Sequence, residues 1–177
     1  MDFIKQRLPQ KEDLINTALA CILAANTWAI LVFLHSFPSL SLQMYVNELI
    51  ATLAYTLGGA LTEAALIFIF LCGLAVLLPE RFFKKDFSAK AILYLLVIYL
   101  LVIPYNWFPF KTQIPPLFPP LWILFCVLLI VYFHSKIEHS QRAVGFFDQI
   151  VERVPVLGYF YLGLDLFSWL FILFRII

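Results

Sequence analysis

Charge is what this sequence has least of. Only 13% of its 177 residues are Asp, Glu, Lys or Arg, against about a quarter in an ordinary soluble domain. That scarcity excludes a disordered chain, a coiled coil and a water-soluble globule. The charge present nearly balances, at net +1, so no global field draws in nucleic acid. Cysteine is also scarce. Cys21, Cys72 and Cys126 all lie inside apolar runs, whereas a disulfide framework belongs in the polar loops of a small secreted chain. They read as packed thiols, and no spacing resembles a zinc site. The phosphate-binding glycine loop, the HExxH string and paired cysteines are all missing. No cofactor and no catalytic centre are expected, and the chain reads as a non-enzyme.

What the sequence has in abundance is apolar surface. Hydrophobic residues make up 63% and aromatics 18%, with mean hydropathy +0.94. A spanning helix takes about 20 mostly apolar residues. Five apolar runs meet or approach that length, over residues 14–37, 49–78, 91–108, 117–134 and 156–177. Pro38, Pro79, Pro104, Pro119, Pro120 and Pro155 stand at their ends, which suits helices in a medium that cannot replace a missing backbone donor. The second run, at about 45 Å as a helix, must tilt or project from a hydrocarbon core of about 30 Å. The third is short, uninterrupted only from Ala91 to Ile103 before its first proline. The N-terminal run is too long for the apolar part of a cleaved signal, and Ala18-Leu19-Ala20-Cys21 fits a lipoprotein cleavage box poorly, so residues 14–37 read as a retained span.

The expected fold is all-α: one integral membrane domain, a five-span transmembrane helical bundle. Its orientation follows from Lys and Arg. Lys5, Arg7 and Lys11 precede the first run. Arg81, Lys84, Lys85 and Lys90 join the second to the third, and Lys136, Arg142 and Arg153 join the fourth to the fifth. Only Lys111 and Arg175 fall on the other side. This alternation predicts a cytoplasmic N-terminus and an outer C-terminus in a bacterial-type inner membrane.

Two connections have character of their own. Val144, Phe147, Ile150, Val151 and Val154 recur at helical spacing, predicting an interfacial amphipathic helix over 143–154. It serves as a surface contact or simply leads the chain into the fifth span. The outer segment 104–120 carries six prolines and no glycine, so it should be stiff and extended. It reads either as an aromatic belt with helix stops or as a ledge for a membrane protein partner or a second copy.

Three polar side chains interrupt the spans near their middles: Asn26, Glu63 and Asp165. A charge at that depth costs at least about 2.5–3.5 kcal/mol, so these residues should face the bundle and find partners. Ala54, Gly58 and Thr62 form one small-residue stripe, and Gly59 and Glu63 a parallel one. Gly158, Tyr161, Asp165, Ser168 and Trp169 share a face of the fifth span. Asn16, Ala20, Thr27 and His35 share an arc of the first. The candidate ion, proton or interhelical polar site is therefore Glu63, Asp165, Asn26, Thr27, Thr62, Tyr161 and Ser168. No Lys, Arg or His stands at that depth. If the two acids meet, mutual repulsion should leave at least one protonated. His134 and Glu138, four residues apart, form a weak metal pair without a third helix-borne ligand. His35-Ser36 lacks the geometry of a nucleophile with its base, because neighbours on a helix point about 100° apart.

Three functions fit. The first is a non-enzymatic accessory or structural subunit packing against membrane partners. The second is a proton- or cation-coupled transporter or channel using the midplane carboxylates. The third is an enzyme acting at the outer face on a lipid-linked substrate. No internal repeat is visible, and five spans cannot form the equal inverted halves common in transporters.

Overall fold

The computed structural model describes residues 9–77, 87–107, 117–139 and 141–176. Among them the chain is all-helical, with five helices and no strand. They are α1 (Lys11–Ser41), α2 (Val46–Leu77), α3 (Phe87–Trp107), α4 (Phe118–His139) and α5 (Gln141–Ile176). Four are long and apolar enough to cross a membrane, and α3 contains a shorter apolar stretch, Phe87–Val102.

Local chemistry explains several helix ends. Glu12 and Asp13 lie in the first turn of α1, where carboxylates complement the positive end of the helix dipole. Residues 42–45 connect α1 to α2. The Tyr45 backbone N–H donates to Glu48 Oε2 at 2.9 Å, which is half of a capping box at the start of α2. So short a connection between two long packed helices makes them antiparallel.

Three helices form the centre: α1 packs on α2 and α5, and α2 packs on α5. Close approach depends on small residues, including Ala20, Ala25, Ala29, Ala54, Ala60 and Ala64, all buried. The tightest point is Gly158 on α5. A Cβ placed there would lie 2.8 Å from Leu19 Cβ and 3.1 Å from Leu19 O on α1, so only glycine admits this crossing. Helix α3 packs on α1 and α4. Helix α4 is outermost. It buries Cys126 and Ile137 but exposes Leu121, Leu124, Leu128 and Val131.

Contacts also fix the helix directions. Leu19 meets Gly158, and seven residues further on Asn26 meets Asp165, so α1 and α5 are parallel. Ser88 Oγ donates to Asp13 Oδ1 at 2.7 Å near the starts of α3 and α1. Further along, the Tyr99 and Trp28 rings lie 6.1 Å apart, so α3 also runs with α1. Trp122, near the start of α4, donates to Leu100 O near the end of α3 at 3.2 Å. Helix α4 therefore runs back along α3.

Several sequence boundaries are revised. Helices continue through Pro38 and Pro155, and α3 begins four residues before the third run, at Phe87, and keeps Pro104 inside it as far as Trp107. Each proline removes a single hydrogen bond, to the carbonyl four residues earlier, and the apolar packing of the rest of the helix outweighs that loss. The segment 143–154 is helical but belongs to α5, continuous with the fifth run. Its Val154 is buried, and Ile150 and Val151 pack on the core. Lys90, assigned from sequence to a connection, lies inside α3 and is 1% exposed. Its neighbours Phe87, Ser88, Ala89 and Ala91 are buried too. Most of the outer segment 104–120 falls outside the described residues. The three cysteines are free thiols, with Cys21 and Cys126 buried.

Candidate functional site

The polar site is built at the centre of the bundle. Asn26 occupies the middle of α1, fifteen residues from either end of Lys11–Ser41. One amide proton is held by Ile22 O at 3.0 Å on its own helix. The other is donated to Asp165 Oδ2 on α5 at 2.9 Å. Both residues are 0% exposed. The small residues along this interface, Gly158 above all, bring the two backbones close enough for two short side chains to touch.

The pair is short of donors. Asn26 Oδ1 and Asp165 Oδ1 are enclosed and have no hydrogen-bond partner among the described residues. The Asn26 amide has already used both its protons. The remaining oxygens can accept only from a proton, a water or a cation brought to them.

Glu63 lies elsewhere. It stands in the middle of α2, exposed, and accepts a hydrogen bond from Tyr99 Oη at 3.2 Å. Tyr99 also stacks obliquely on Trp28, two residues beyond Asn26. Asn26, Asp165, Tyr99 and Glu63 therefore form one polar layer across the bundle. The two acids nevertheless have different partners and opposite surroundings, one enclosed and one open. The condition for a shared proton, that the acids meet, does not hold.

The other predicted residues divide. Ser168, three residues after Asp165, is buried, but its hydroxyl donates to Leu164 O at 2.9 Å. Thr27 and Thr62 are exposed and donate to Leu23 O and Gly58 O. Hydroxyls on isolated helices commonly bond back in this way, so neither threonine joins helices. Tyr161 is half-buried, with its ring edge-on to Phe160. His134 is half-buried on α4, and the Glu138 side chain lies outside the described residues. Among the described residues no group of three metal-ligating side chains occurs.

An open apolar groove of about 520 Å³ separates parts of α2 and α5, lined by Ile50, Leu57, Phe167, Phe171 and Phe174 among others. It contains neither acid. Ser168 supplies its one hydroxyl, and that hydroxyl is bonded within its helix.

No family model, curated protein or solved structure matches this chain.

Tyr99 is absent from the candidate residues that the sequence offers. The signal was present. Tyr99 lies near the middle of the third run, at the depth that singled out Glu63 and Asp165, and a phenol at that depth needs a hydrogen-bond partner. Thr17 was also missed. It is 1% exposed, and its hydroxyl has no partner among the described residues.

Proposed function

We propose that this protein is a five-span membrane protein, N-terminus in the cytoplasm and C-terminus outside, acting as a non-enzymatic accessory subunit of a membrane complex. The observation that carries the reading is the exposure of Glu63. It stands seventeen residues from Val46 and fourteen from Leu77, so about 21 Å of helix separates it from the nearer end of α2. A carboxylate side chain cannot reach water from there, and leaving it in lipid is unfavourable. A partner that covers it removes that cost. The alternating helix directions support the five-span topology, and the Lys and Arg distribution supports the cytoplasmic N-terminus, as in a bacterial-type inner membrane.

Purification in gentle detergent tests the role. A partner recovered at fixed stoichiometry is expected. A lone, monodisperse monomer from native membranes would sink the subunit reading.

The enclosed oxygens of Asn26 and Asp165 favour a second reading, a proton- or cation-coupled carrier. An interior site lacking donors is where a proton or cation binds. Flux across liposomes should then vanish in Asp165→Asn while the protein stays folded. Equal flux in the variant and wild type removes this reading.

A further inference from the structure

We infer that the exposed face of α2 docks a transmembrane helix of a partner protein that carries Lys or Arg at the bilayer midplane, seated over Gly59 and paired with Glu63. The inference rests on the accessory-subunit reading and specifies the partner's chemistry.

The face is a helical stripe of Tyr55, Gly59, Thr62, Glu63, Leu66 and Phe70, all exposed. Among the described residues the space over Gly59 is open: a Cβ built there meets none of them within 4 Å. Gly58, one residue earlier, behaves oppositely. Its Cβ position lies 3.1 Å from Ile172 and 3.7 Å from Trp169 of α5. The first small-residue stripe of α2 is thus filled at Gly58 from within the chain, and the parallel one is vacant at Gly59 among the described residues. A glycine four residues from a carboxylate lets an incoming backbone approach to side-chain bonding distance.

Charge selects the occupant. Tyr99 gives Glu63 a neutral donor, which solvates the carboxylate without compensating its charge. The chain itself has no cation at this depth. Its twelve Lys and Arg residues all lie near the ends of the apolar runs, and Lys90, the basic residue of α3, stands nine residues, about 13 Å, along the helix from Tyr99. A second copy of this chain therefore cannot supply the missing charge. A symmetric contact through this face would bring one Glu63 towards another, which is repulsive. Lipid headgroups do not reach the midplane. Among the described residues no further His, Cys, Asp or Glu joins Glu63 in a cluster that could hold a metal ion. A helix-borne base satisfies the site and avoids desolvating either charge alone, since intramembrane charges characteristically pair with each other.

The experiment uses the full chain in liposomes with three synthetic helical peptides of about 20 Leu and Ala residues. One carries Lys at its centre, one carries Leu there, and one carries Lys near its end. Association is read by energy transfer between labels. The central-Lys peptide should bind roughly tenfold or more tighter than the other two. Glu63→Gln should remove that preference, and Gly59→Ile should weaken binding of the central-Lys peptide with Glu63 intact. Unchanged thermal unfolding of both variants in detergent is expected, since neither side chain lies in the core. Equal binding of all three peptides, or a preference that survives Glu63→Gln, overturns the inference. So does energy transfer between copies of the chain that depends on Glu63. Native membranes separate this failure from failure of the subunit reading. A fixed-stoichiometry partner retained by both variants overturns only the docking face, whereas no partner in wild type overturns the subunit reading beneath it.

Discussion

At the residue scale, two glycines on this bundle make opposite predictions. Gly158 is where α5 touches α1, and a methyl group there would meet both a side chain and a backbone carbonyl of Leu19. The backbone oxygen cannot turn aside as a flexible side chain can. Gly158→Ala should therefore destabilise the fold by about 1–3 kcal/mol, the usual cost of overpacking. Gly59→Ala meets none of the described residues and should leave monomer stability within about 0.5 kcal/mol. Unfolding by denaturant in mixed micelles measures both, and equal losses would mean that the α1–α5 crossing is looser than the geometry indicates. The Asn26–Asp165 pair gives a second comparison. Asp165→Leu strands the Asn26 amide in a dry interface and should cost about 1–2 kcal/mol, at the upper range for interhelical hydrogen bonds in membranes. Asp165→Asn keeps an acceptor for that amide and should cost less. If the two variants prove equally unstable, packing rather than hydrogen bonding holds the pair.

At the scale of the element, the helices outrun their sequence signals because proline acts locally and apolar packing acts along the whole length. Pro155 deprives the Val151 carbonyl of its donor, yet Val154 and Gly158 on either side are buried against the bundle. Burial of that face stabilises the continuous helix more than one missing bond weakens it. Pro155→Ala should accordingly raise thermal stability in detergent, by about 1 kcal/mol or more, because it restores the missing donor and relieves the ring's clash with the preceding turn. A lowered midpoint would indicate that the packing around Val154 requires the proline. The start of α3 shows the same principle in a different form. Lys90 reads as a loop cation on charge alone, but Phe87, Ser88, Ala89 and Ala91 around it are buried, and the Ser88–Asp13 hydrogen bond anchors that turn to α1. A charge count along a sequence has no access to such long-range anchoring.

At the scale of the whole molecule, orientation is the quantity to measure. Reporter fusions after Gln43 and after Ile177 should both report the outer side, because the α1–α2 hairpin and the end of α5 share it in a five-span arrangement. A fusion within residues 78–86 should report the cytoplasm. A cytoplasmic signal after Ile177 would show that one apolar helix, with α3 the shortest, does not cross. The apolar runs, the central place of Asn26, Glu63 and Asp165 in them, and the Lys and Arg alternation were legible in the sequence, because hydropathy and charge are read from a residue's distance along its run. Distance along a run is a linear property of a helix. Which way each polar residue faces is not, since it depends on which neighbouring helix fills a given side. Only the tertiary structure enclosed Asp165 with Asn26, turned Glu63 outward to Tyr99, filled the stripe at Gly58 and left the one at Gly59 open. The two stripes are one residue apart in sequence and about 100° apart around the helix, and packing against α5 separated them.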